Sequence, residues 1–246
     1  MVNKMFLYFN MLYTLRITGH NPESGSDNLK PDLCLYRVNA KRGRSCPYDL
    51  DRSTSSDGAD RHQGRTAWAW IVVPVEVKTS STWAPFIREQ GSDQWVCHND
   101  QDGPDTRAQM GRYVCEIYSR QHRQFIFTVH IQEELVYFYR WDHTGALVSE
   151  PVNFKQDPGT VLEFFYRIAL GTAEQQGYDT TFILDDRSTD STKGFQQFRR
   201  RVKEDPKLEE TAKEHYLKYI DAILSNQPMI DPIYKVRLLV MAPHTT

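Results

Sequence analysis

Apolar positions along the chain follow two rhythms. "DLCLYRV" from Asp32, "AWAWIVVPVEVK" from Ala67, "QFIFTVHI" from Gln124 and "LVYFYRW" from Leu135 are short, rich in β-branched or aromatic residues, and bounded by polar punctuation. This pattern predicts strands. Pro74 inside the second run predicts a bulge or an edge position there, and Gln132-Glu133-Glu134 reads as the turn between the last two. "GALVSEPVNF" adds a further strand. In "TRAQMGRYVCEIYSRQH", Ala108, Val114, Ile117 and Tyr118 recur at helical spacing while Arg107, Arg112, Arg120 and Gln121 stay polar. A helix is expected despite Gly111, which costs it about 1 kcal/mol. "DPGTVLEFFYRIALGTAEQQG" carries a cap-like Asp157, a Pro near the first turn and a Gly near the stop, and predicts a second helix. Beyond Tyr178 the chain turns polar. "DDRSTDSTKG" reads as a connector, followed by two charged helices divided near Pro206 and a short strand, "YKVRLLVM".

The order strand, strand, helix, strand, strand, helix predicts an α/β core: a small mixed β-sheet flanked by helices, with a helical C-terminal tail. Residues 1–29 read as a lead-in, 30–181 as the core, and 182–246 as the tail and the start of a truncated segment. The opening "MVNKMFLYFNMLYTLR" is interrupted by Asn10 and has no small-residue cleavage site. It therefore reads as a short structural element left from a longer helix, not a secretory signal. Residues 39–66 lack hydrophobic periodicity and predict an exposed loop inserted in the core, with Arg42 and Arg44 among its basic residues. "REQGSDQWVCHNDQDGPD" reads as an acidic connection.

Composition narrows the classes. With 39% hydrophobic and 25% charged residues, the 246-residue chain is globular. Thirty basic against thirty-two acidic residues give a net charge of −2, which carries no nucleic-acid signature for the chain as a whole. No segment approaches membrane-spanning length. The four cysteines show no CxxC spacing, which argues against zinc and a disulfide framework and for an intracellular setting, cytoplasmic or nuclear. His98, His122, His130 and His143 do not fall at ligand spacing; His130 reads as a surface or satisfied core histidine. Arg199-Arg200-Arg201 reads as a solvated helix face.

Candidate chemistry centres on Glu76 and Lys78, which alternation places on one face of a strand. With Pro31-Asp32 ahead of the preceding strand, they form "PD … EVK". The ordinary reading of each part is a solvated pair and a turn. Their order resembles the PD-(D/E)XK nuclease superfamily, in which neighbouring strands carry these residues at one edge of a restriction-endonuclease-like sheet. That resemblance implies Asp32 and Glu76 as ligands of Mg²⁺ or Mn²⁺, with the Val77 carbonyl as a further ligand. Hard cations prefer such oxygens, and a bound ion acidifies water against a phosphodiester. Lys78 would assist the nucleophile. Gln109 and Tyr113, four apart on the following helix, resemble the Q-x-x-x-Y element of the branch related to RecB-type exonucleases and would support the site. Arg42, Arg44, Arg107 and Arg112 could neutralise nucleic-acid phosphates around it.

A longer set of motifs, "KPDLCLY", "VPVEVKTS", "RAQMGRYVCEIYSRQHRQFIFTVHI", "YRWDHTGALVSEPVNF" and "FFYRIALGTAEQQGYDTTF", resembles the region ahead of the kinase lobes in fungal-type protein kinases. "RWDHTG" is the most distinctive. The chain carries no Gly-rich phosphate loop and no HRD-type or DFG-type set, so no ATP site is expected, and it reads as ending before those lobes. The nuclease superfamily often adds an acid from an upstream helix; only Glu23 and Asp27 precede Asp32. Two functions follow: metal-dependent hydrolysis of DNA or RNA, or an inactive nuclease-like scaffold that binds a protein partner or regulates a kinase-family protein.

Overall fold

The computed structural model describes residues 13–20, 22–23, 27–39, 44–45, 64–99, 102–184, 189–225 and 234–236. They form two compact units, 1–180 and 181–246.

The first unit is a mixed α/β sandwich. Its strands are β1 (Tyr13–Ile17), β2 (Leu33–Asn39), β3 (Arg44–Ser45), β4 (Ile71–Lys78), β5 (Phe86–Arg88), β6 (Trp95–Cys97), β7 (Ile126–Gln132), β8 (Leu135–Asp142), β9 (Gly145–Val148) and β10 (Val152–Asn153). The main sheet runs β1-β2-β4-β7-β8-β10, with β3 on β2 and β9 on β8. Among the described strands, only β4 and β7 pair in parallel; helix α1 (Gly103–Arg120) lies between them in sequence. Such a crossover is what a parallel pair requires. Helix α2 (Pro158–Leu170) follows β10 and starts as its sequence signals dictate: Pro158 opens it and the Asp157 side chain accepts from the Thr160 amide.

Alternation along the strands divides the core. Cys34, Tyr36, Tyr137 and Tyr139 face α1, packing with Met110, Tyr113, Val114 and Ile117. Leu35, Val73, Val75, Val129 and Val136 face α2, packing with Val161, Phe165 and Ile168.

Several expectations are corrected. Residues 13–17 of the opening segment form a strand, not a helical remnant. Tyr13 and Leu15 pack with the α2-side cluster, and the segment completes the sheet by pairing antiparallel with β2. Residues 1–12 lie outside the described residues. Pro74 sits in an internal strand between β2 and β7, not at an edge. The bulge is close by: Leu35 faces Val73 but Tyr36 faces Ile71, and the ladder to β7 begins only at Val75. "AWAW" begins with a 3-10 turn at Trp68–Trp70 before β4. Within the expected loop, β2 reaches Asn39 and Arg44–Ser45 pairs back on it, and residues 46–63 lie outside the described residues. The acidic connection begins at the last residue of β5 and contains β6, which pairs back on β5 as a hairpin. Glu133 takes a positive φ of 52° between β7 and β8, at the predicted turn.

In the second unit, β11 (Phe182–Leu184) pairs antiparallel with β12 (Tyr234–Val236). Helices α3 (Thr189–Glu204) and α4 (Glu210–Leu224) flank Pro206. Helix α3 begins inside the stretch expected as connector; Val202 and Ile220 are buried, and Arg199 pairs with Asp221 at 2.6 Å. No helix among the described residues is long and apolar enough to cross a membrane.

Candidate functional site

The antiparallel register of β2 and β4, Leu33 to Val75 and Cys34 to Pro74, continues to place Asp32 opposite Glu76. The parallel register of β4 and β7 sets Glu76 beside His130 and Lys78 beside Gln132. Asp32, Glu76, Lys78, His130 and Gln132 therefore share the α1 face, while Val77 points into the α2-side cluster.

The contacts are dense. Asp32 Oδ2 accepts from the Val77 amide at 2.8 Å. The Asp32 carbonyl accepts from the Thr18 and Gly19 amides at 2.8 and 3.2 Å, so the end of β1 holds the Pro31-Asp32 turn. A Cβ at Gly19 would lie 3.0 Å from Asp32 Oδ1, so any larger residue there would press on that carboxylate. Glu76 is 3% exposed. Its Oε1 accepts from Lys78 Nζ at 2.6 Å, and its Oε2 lies 2.8 Å from the Tyr113 hydroxyl. Lys78 Nζ also donates to Gln109 Oε1 at 2.9 Å and lies 5.0 Å from the Trp83 ring centroid, a cation–π distance. The amide of Gln109 donates to the Tyr113 hydroxyl at 2.6 Å. That hydroxyl is 3.0 Å from the Lys30 carbonyl. Having one proton, it donates to Glu76 or to Lys30, not to both.

Burial dominates the electrostatics. Desolvation pushes the Glu76 carboxyl up, against the lowering effect of Lys78, and nearby Asp32 pushes it further up. Desolvation and the Glu76 charge raise the Tyr113 phenol well above its ordinary range. Burial pushes the His130 imidazole down to about 4; its Nε2 lies 3.4 Å from Gln132 Oε1.

Asp32, Glu76, Lys78, Gln109 and Tyr113 thus come together as their order in the sequence predicts. Other predicted residues do not join them. Arg107 turns to its own loop, donating to the Pro85 and His98 carbonyls at 2.7 and 2.6 Å and to Asn99 Oδ1 at 3.0 Å. Arg112 is exposed on α1. Arg42 lies outside the described residues, and of Arg44 only the strand backbone is described. Glu23, one of the two acids upstream of Asp32, is buried elsewhere: it accepts from the Trp68 amide at 2.8 Å and pairs with Arg120 at 2.8 Å. Among the described residues, no group of three or more His, Cys, Asp and Glu side chains is gathered so as to hold a metal ion.

Sequence reasoning missed His130, Gln132 and Trp83. The strand rhythm put His130 and Gln132 on one face of β7, but only the parallel register sets them beside Glu76 and Lys78. Nothing in the sequence foretold Trp83.

A family model for fungal protein kinase matches residues 93–227, more than half of the chain. The chain belongs to the fungal protein kinase family. The matched span runs from the β5–β6 turn past the end of α4, starting later than the motif resemblance. Within this fungal protein kinase family member, Gln109 and Tyr113 lie inside the matched span, while Asp32, Glu76 and Lys78 precede it. Neither the comparison with curated proteins nor that with solved structures returned a match.

Proposed function

We propose that the first unit of this fungal protein kinase family member is a PD-(D/E)XK-like scaffold whose acid–base cluster serves structure, and that the unit acts as a protein-interaction or regulatory module. The observation that carries this reading is the state of Glu76: 3% exposed, with one oxygen bound by Lys78 and the other by Tyr113. A carboxylate in the service of Mg²⁺ needs an open face, because that ion keeps several of its waters and demands a near-octahedral set of oxygens. As placed, Asp32 and Glu76 do not fit the ion. Glu76 is closed off, and Asp32 has one oxygen committed to the Val77 amide. The Lys78 ammonium is likewise committed to Glu76 and Gln109. The chain's own residues carry no kinase phosphate loop or metal-binding set, so no phosphotransfer is assigned to them.

A second reading, metal-dependent hydrolysis of nucleic acid, is favoured by the convergence of Asp32, Glu76, Lys78, Gln109 and Tyr113. It requires Glu76 to exchange Lys78 and Tyr113 for a metal. The two separate in one assay: the full chain incubated with single- and double-stranded DNA and RNA in Mg²⁺ or Mn²⁺. The scaffold reading expects no metal-dependent cleavage. Cleavage that disappears in Asp32→Asn and Lys78→Met, both still folded by circular dichroism, overturns it.

A further inference from the structure

We propose that residues 81–99 form a lid over the polar face of the sheet, held by Arg107, and that its opening controls access to the Glu76–Lys78 pair. The inference rests on the reading of that face as closed.

The segment is built as a separate piece. It comprises a 3-10 turn at Ser81–Trp83 and the β5–β6 hairpin, and β5 and β6 form a two-stranded sheet of their own without ladder bonds to the main sheet. Its attachment is concentrated at the start of α1. Thr106 Oγ1 donates to the Trp83 carbonyl at 2.9 Å, and Arg107 gathers the Pro85 carbonyl, the His98 carbonyl and Asn99 Oδ1 with two of its nitrogens. One guanidinium thus joins the segment's two ends. Gly103 permits the close approach, since a Cβ there would lie 2.6 Å from the His98 carbonyl oxygen. The Gln132 side chain donates to the Ser80 carbonyl where the segment leaves β4.

The underside rests on side chains of the sheet. Trp83 covers Lys78, Phe86 lies 6.2 Å from both Tyr137 and Tyr139, and Trp95 meets Tyr137 edge-on at 6.2 Å. Two polar atoms on this face have no hydrogen-bond partner among the described residues although fully buried: His130 Nδ1 and the Tyr139 hydroxyl. An orphaned buried polar atom is costly, and water entering on opening would satisfy both. The closed lid therefore balances aromatic packing and the Arg107 clasp against two unmet hydrogen bonds. A detachable hairpin in such balance opens locally without unfolding the sheet.

The test uses diethyl pyrocarbonate, which acylates neutral imidazole, on the full chain, with modification of each histidine read by mass spectrometry and hydrogen exchange followed in β4. We expect His130 to react faster than the β4 amides exchange by global opening, and Arg107→Ala to speed its reaction about tenfold with β4 protection unchanged. Thr106→Val, which removes one fastening bond, should speed it less. His130 reacting only at the rate of global opening overturns the lid, as does a rate unchanged in both variants. Neither result bears on nucleic-acid cleavage, so failure of the lid and failure of the scaffold reading are told apart.

Discussion

The two faces of the main sheet are built from the same strands by different chemistry. Toward α2, Val73, Val75, Val129 and Val136 meet Val161, Phe165 and Ile168, and Phe164 stacks on Phe138 at 4.4 Å. Toward α1, the same strands present Glu76, Lys78, His130 and Gln132 within a hydrogen-bonded set that reaches Lys30, Gln109 and Tyr113. The first face is held by buried apolar area, which is non-directional and tolerates swaps of similar volume. The second has its own apolar cluster against α1, and at the Glu76–Lys78 end adds directed pairs, each of which leaves a stranded partner when broken. Both faces of the sheet therefore specify packing, and the α1 face in addition specifies a single polar arrangement.

The contrast can be broken from the apolar side first. Phe165→Ala should cost about 3–5 kcal/mol, read as a lower urea midpoint at unchanged slope, and Phe165→Leu should recover most of it. Equal losses in both variants would mean that this face is as shape-specific as the other.

Next in size is a pH effect carried by the polar face. Burial lowers the His130 pKa from 6.5 to about 4, so between those values the unfolded chain binds the proton more readily. Stability from this group is then full above about pH 6.5 and falls as pH drops toward 4. At about 1.4 kcal/mol per pH unit the ceiling is about 3 kcal/mol. Glu76, with its raised pKa, works in the opposite direction, stabilising as it takes up its proton. The measurement is therefore a comparison: the acid-side loss seen in the native chain should shrink in His130→Gln. Parallel pH curves for the two proteins would remove His130 from the account.

The smallest expected effect sharpens the comparison most. Tyr113→Phe deletes one oxygen and nothing of the ring that packs 5.5 Å from Trp68. It should cost about 2 kcal/mol, because Gln109 and Glu76 both lose a partner. In a double-mutant cycle with Gln109→Ala the two losses should be non-additive. Additive losses would mean that the polar set is a collection of independent contacts.

Much of this was readable from the chain. The Val72–Lys78 run, the Gln132–Glu134 turn and the Asp157 cap each carry a local signal that no tertiary contact overrides. Asp32, Glu76, Lys78, Gln109 and Tyr113 were legible because alternation and helical spacing give each a face, and the crossover brings those faces together. What escaped depends on partners distant in sequence. Tyr13–Ile17 becomes a strand because β2 offers it an edge. His130 sits beside Glu76 only through the parallel register of β4 and β7. Phe86 and Trp95 flank a polar turn, and their packing on Tyr137 has no periodic trace. Burial was the least legible quantity of all: an acid and a lysine two apart on a strand look the same in sequence whether they face water or, as here, a tyrosine and a tryptophan.

The measurement that bears most directly on the central claim is the unfolding free energy of Glu76→Ala. Groups kept for chemistry are commonly held at a cost to stability, and removing them tends to stabilise. A buried structural carboxylate behaves in the opposite way, because its loss strands Lys78 and Tyr113. The account predicts a loss of about 3 kcal/mol, at the lower end for a broken buried pair because Lys78 retains some contact with water. A Glu76→Ala chain as stable as the native one, or more stable, would contradict it.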